Sequence, residues 1–120
     1  IEADERQITA AAGLGISVCE IHTGHYAQVF SAALNDRDDP RVLQELERIE
    51  RAGRIIRDAG MKFNAGHALN YWNISGIAGI HGLSELHIGH SIISRSIFVG
   101  VRAAVREMKD LIRKNMGSMK

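Results

Sequence analysis

A lone cysteine, Cys19, leaves this chain unable to close an internal disulfide. No apolar run approaches the roughly 20 residues of a membrane span, and no charged-then-apolar leader opens the sequence. Together these absences make the reducing cytoplasm the expected compartment. An excess of charge of one sign is missing too: 15 Lys and Arg stand against 14 Asp and Glu, a formal net charge of +1. With aromatics at only 5%, no basic stripe interleaved with aromatic rings is available to track a nucleic-acid backbone. The sequence also lacks an initiator methionine. It opens on Ile1-Glu2-Ala3-Asp4, which reads as the end of a strand with no approach to it, as if cut from something longer.

What is present is enough for one globular domain: 120 residues with 45% hydrophobic content. Asp4 reads as an N-cap, with Gln7 at capping-box spacing, ahead of a short helix carrying Ile8, Ala11 and Ala12 on one face and stopped by Gly13 and Gly15. Residues 16–22 read as a strand closed by Thr23-Gly24, and residues 23–38 as a long polar connection. Asp39-Pro40 then starts an amphipathic helix with Val42, Leu46, Ile49 and Ile56 on its apolar face and Gly60 past its end. Strands follow at 61–65 and 84–88, with short helices near 74–80 and 91–97. A final helix carries Val101, Ala104, Val105, Met108, Leu111 and Ile112, and the polar tail from Asn115 is expected to fray. Strands alternating with helices imply parallel pairing in an α/β fold.

All three strands close on a glycine-histidine pair: Gly24-His25, Gly66-His67 and Gly89-His90. Glycine after a strand is ordinary turn chemistry, yet in α/β folds the carboxyl ends of strands are where active sites are built. Side-chain alternation puts Glu20, His22, Lys62, Asn64, Glu85 and His87 on one face, and Cys19, Ile21, Phe63, Ala65, Leu86 and Ile88 on the other. The apolar face should meet the helices. The charges of the polar face should then be buried in a lumen, where they must be paired with one another or turned to a polar ligand. The spacing His22-Thr23-Gly24-His25, with Glu20, also allows a metal site. Residues three apart on an extended strand face opposite sides, however, so the two histidines converge only if Thr23-Gly24 bends the chain.

Glu20-Ile21-His22-Thr23-Gly24, followed by Tyr26-Ala27, resembles the strand-six signature of the pyridoxine 5′-phosphate synthases. Asn64-Ala65-Gly66-His67, with Leu69, Tyr71 and Asn73, is similar to strand seven and its loop, and Glu85-Leu86, Ile88-Gly89-His90, Ile92-Ile93 and Arg95 to strand eight and the residues just beyond it. Ala3-Asp4-Glu5 and Gln7-Ile8 fit the end of strand five and its helix, and the likeness continues to Leu111, so it covers essentially the whole chain.

The resemblance implies the C-terminal half of a (β/α)8 barrel over residues 1–120, with the N-terminal half absent from this sequence. The implied activity condenses 1-deoxy-D-xylulose 5-phosphate with 3-amino-1-hydroxyacetone 1-phosphate in vitamin B6 biosynthesis, without metal or organic cofactor. His67 matches the proton-donating histidine of the family and Glu20 the carboxylate that stabilises charge in the transition state. Ala68, where the family usually has glycine, and Gly89 and His90 match substrate-holding positions, the last two at a phosphate. The position of His25 varies in the family. The resemblance further implies an octameric homo-oligomer and a partner in the missing half of the barrel, which carries other acid/base groups, so the fragment alone is expected to be incomplete as an enzyme. The competing expectation is a noncatalytic phosphate-binding or assembly module using the same Gly89-His90 loop, and a metal-dependent barrel hydrolase stands further off.

Overall fold

The computed structural model describes residues 1–117. Among them the order is α1 (Glu5–Gly13), β1 (Val18–His22), α2 (Gly24–Ala32), α3 (Pro40–Asp58), β2 (Lys62–Gly66), α4 (Ile74–Ala78), β3 (Leu83–His87), α5 (His90–Val99) and α6 (Val101–Gly117). The strands form one parallel sheet in the order β1-β2-β3. The register pairs Glu20 with Asn64 and Asn64 with Glu85, and likewise His22 with Gly66 and Gly66 with His87. Ile1 extends the β1 edge: its amino group donates to the Glu20 carbonyl at 2.8 Å and its own carbonyl accepts from the His22 amide at 2.8 Å.

Local chemistry explains most of these elements. Asp39 caps α3 by accepting from the Arg41 amide at 2.8 Å, and Pro40 sits at the start of the helix, where a missing N–H costs nothing. Val42, Ile49, Ala52 and Ile56 are buried along α3, packed with Cys19, Ile21, Phe63 and Ala65 from the sheet. Helix and sheet approach closely at Gly53, where an added Cβ would lie 2.3 Å from the Phe63 ring.

Several expectations need correction. The stretch 23–38 is not one long connection, because α2 occupies Gly24–Ala32. Its buried Tyr26 and Phe30 lie four apart, as one helical face requires, and the Tyr26 hydroxyl donates to the Asn73 carbonyl at 2.6 Å. Asp4 does cap α1, accepting from the Arg6 amide at 2.9 Å, but Gln7 accepts from the Glu2 amide at 3.2 Å instead of closing a capping box. α6 remains helical through Asn115 to Gly117, and the rest of the expected frayed tail lies outside the described residues.

Candidate active site

The parallel register gathers the chemistry-bearing residues at one edge of the sheet. Glu20 and His22 lie near the carboxyl end of β1, His67 and Ala68 directly follow β2, and Gly89 and His90 follow β3. His67 and Ala68 carry positive φ angles of 98° and 59°, a region that non-glycine residues seldom enter. Hydrogen bonds hold them there. The Thr23 hydroxyl, fully buried, donates to the His67 carbonyl at 2.6 Å, and Asn73 Nδ2 donates to the Ala68 carbonyl at 3.2 Å. Asn73 is itself fixed: its Oδ1 accepts from the Asn70 amide at 2.8 Å, and its amide donates to Asn70 Oδ1 at 2.8 Å. Strained backbone over-determined by its surroundings clusters at functional sites, and here it carries the histidine that the sequence singles out.

The imidazole of His67 stacks on that of His22, with ring centroids 4.0 Å apart and planes 29° from parallel. His22 Nδ1 accepts from the Gly24 amide at 3.2 Å. Both rings border a cleft of about 760 Å³ that also touches Ala68 and the start of α2.

A second group crosses the sheet. The Glu20 carboxylate reaches over β2 to His87 Nδ1 on β3, while His87 Nε2 lies 3.3 Å from Glu85, whose other oxygen meets Lys62 Nζ at 3.1 Å. Gly66 makes the crossing possible, since an added Cβ there would lie 2.7 Å from a Glu20 oxygen. The bond to Glu20, and then that to Glu85, raises the His87 pKa above the ordinary histidine value. Lys62 first, then His87, holds the Glu85 carboxyl below the usual carboxylate range. Glu20, Lys62, Glu85 and His87 were expected to be buried. They are paired, but each side chain is roughly half exposed in the described chain, because no further element covers that face.

The third strand end is laid out differently. Gly89 is the N-cap of α5, and no side chain caps the helix. Ser91, in the first turn, spends its hydroxyl on the Leu69 carbonyl at 2.8 Å. An added Cβ at Gly89 would meet nothing within 4 Å, so packing inside this chain does not require glycine there. His90 opens on a separate cleft of about 670 Å³ beside Trp72, Arg95 and Phe98, so it does not share the cavity of His67. Thr23-Gly24 does bend the chain, so that His25 lines the same cleft as His22 and His67, but its Nδ1 is engaged by Glu45 on α3 at 3.0 Å. Among the described residues no group of three His, Cys, Asp or Glu is disposed to hold a metal ion.

The sequence pattern offered His22 only as a candidate metal ligand and gave His87 no role, and the stacking of His22 on His67 and the pairing of His87 with Glu20 were missed. Alternation had already placed both on the face of Glu20, and that was the available signal.

Consecutive parallel β/α units in the strand order β1-β2-β3, with one face of the sheet polar and open, are the arrangement of part of a β/α barrel. The profile of the family described as pyridoxal phosphate biosynthesis protein PdxJ matches residues 1–114, and the chain belongs to that family. It is 57% identical over 114 residues to a pyridoxine 5′-phosphate synthase of Dechloromonas aromatica (strain RCB), covering 95% of this chain and 45% of the relative. It is 55% identical over 114 residues to one of Azoarcus sp. (strain BH72), covering 95% and 46%. With one of Aromatoleum aromaticum it shares 54% over 117 residues, covering 98% and 47%. The chain thus spans about half the length of the curated relatives it matches. No helix among the described residues is long and apolar enough to cross a membrane.

Proposed function

We propose that these residues form the C-terminal half of the barrel of a pyridoxine 5′-phosphate synthase, and that strands outside this sequence complete the active site. The reaction joins 1-deoxy-D-xylulose 5-phosphate to 3-amino-1-hydroxyacetone 1-phosphate, closes the pyridine ring, and releases phosphate and water. The observation that carries this reading is His67, held at φ 98° by a buried hydroxyl at the mouth of a cleft. Ring closure and dehydration need protons delivered to departing oxygens, and an imidazole suits that work.

Glu20 presents a carboxylate on the same face of the sheet, where it can oppose the positive charge of imine-like intermediates. Gly89 and His90 open α5 with first-turn amides that have no side-chain cap, and a helix N-terminus of this kind offers a phosphate both N–H donors and the positive end of the helix. Ala68 brings its backbone to the cleft beside His67. The protein proposed here works in the cytoplasm as a homo-oligomer, an octamer by analogy with the family, and needs no metal or organic cofactor.

The test is His67→Asn in the full-length enzyme. Turnover should fall about 10²- to 10⁴-fold while phosphate binding is largely kept. Near-normal turnover would reduce His67 to a structural histidine and leave the loop at Gly89 as an anion site without chemistry.

A further inference from the structure

The stacked pair at the cleft contains one imidazole to which the proposed chemistry gives no task. We propose that His22 is a positioning residue for His67, locked in one tautomer by the Gly24 amide so that its ring face sets where the His67 ring stands. This inference rests on the reading of His67 as an acid/base group.

Three observations converge on it. The rings overlap at a centroid distance of 4.0 Å, a contact in which each limits the rotation of the other. The Gly24 amide donates to His22 Nδ1 at 3.2 Å, which requires that nitrogen to be unprotonated and leaves the proton on Nε2. Gly24 is also the residue that admits both rings: a Cβ there would lie 2.5 Å from His22 Cε1 and 3.4 Å from His67 Cδ2.

The geometry divides the work of holding His67. Its backbone is fixed from one side, where the buried Thr23 hydroxyl grips the carbonyl at 2.6 Å. Its ring has no hydrogen bond of comparable kind among the described contacts, and the face of His22 takes that part. Residues 22, 23 and 24 therefore act together on one catalytic side chain, through a ring face, a hydroxyl and an amide. His22 Nε2–H remains free of the Gly24 contact, as a donor on a ring that borders the cleft.

The test uses the full-length enzyme and reads tautomer and turnover separately. With ¹⁵N-labelled imidazoles near neutral pH, His22 should show a bare Nδ1 and a protonated Nε2. The opposite tautomer, or a doubly protonated ring, would overturn the proposal without reference to activity. His22→Ala should lower kcat about 10- to 100-fold with little change in KM, the size of loss that a misplacement of about 1 Å produces. His22→Phe, which restores a flat ring, should recover most of that loss. Gly24→Ala should act as His22→Ala does, by displacing the ring.

Unchanged kcat in folded His22→Ala would sink the inference, as would His22→Phe no better than His22→Ala. His67→Asn serves as the control. If it is inactive while His22→Ala is normal, only the positioning role falls. If His67→Asn is itself near normal, the reading beneath the inference falls as well.

Discussion

At position 68 the backbone adopts φ 59°, where an alanine Cβ crowds its own carbonyl. Left-handed backbone costs a non-glycine residue roughly 1–2 kcal/mol, and the Asn73 side chain secures it by donating to the Ala68 carbonyl. This gives a physical reason for the glycine that the resemblance leads one to expect at the position. Ala68→Gly should therefore stabilise the protein by about 0.5 kcal/mol net, because the relieved strain exceeds the roughly 0.4–1 kcal/mol of added freedom in the unfolded chain. A higher denaturant midpoint at unchanged slope is the expected result, and a lower midpoint would show that the turn tolerates alanine without strain. The neighbouring His67 was recognisable from its glycine-histidine pair. Its φ of 98° was not, since that angle is imposed by Thr23, which lies 44 residues away in sequence.

At the scale of elements, the cross-sheet group ties β1 to β3 over Gly66, and the pKa shifts within it set its behaviour with pH. Because the folded His87 pKa is raised, its attraction to Glu20 and Glu85 is present in full below the ordinary histidine value of 6.5. It is lost as pH rises through the higher folded value, and the site is so exposed that the gain in stability is small. Glu20→Gln removes the larger cause, so in an NMR titration the His87 midpoint should move down toward 6.5, while Glu85 keeps it from arriving there. An unmoved midpoint would mean that Glu20 does not face His87 in solution.

Legibility in the sequence also varied by element. The helix at Asp39-Pro40 announced itself through its cap and its apolar stripe, and the strands through alternation closed by glycine. α2 escaped because it opens on glycine, and its face rests on Tyr26, Val29, Phe30 and Ala33 in a stretch otherwise read as polar; that spacing of three and four was its one clear sign. The pairing of Glu20 with His87 was not legible at all, because it depends on two strands lying either side of a third.

Over the whole molecule, the described chain buries one face of its sheet and leaves the other open. Glu20, His22, Lys62, Glu85 and His87 are exposed on the open face. On α5 and α6, Ile93, Ile97, Phe98, Val101 and Val105 stand in solvent, with Phe98 82% exposed. Such surfaces fit the proposal that further strands and helices complete the barrel, since soluble proteins seldom leave apolar ground and strand edges bare. The catalytic set would then be shared between two halves, whereas the amides of the loop at Gly89 belong to this one alone.

The measurement that tests this account most directly is product formation from the two phosphorylated substrates, assayed on the verified 120-residue chain and on a full-length protein that contains it. The account predicts pyridoxine 5′-phosphate from the full-length protein and none from the chain alone. Turnover by the chain alone would contradict it, because the residues described here would then suffice, and a folded full-length protein that made no product would contradict the assigned reaction.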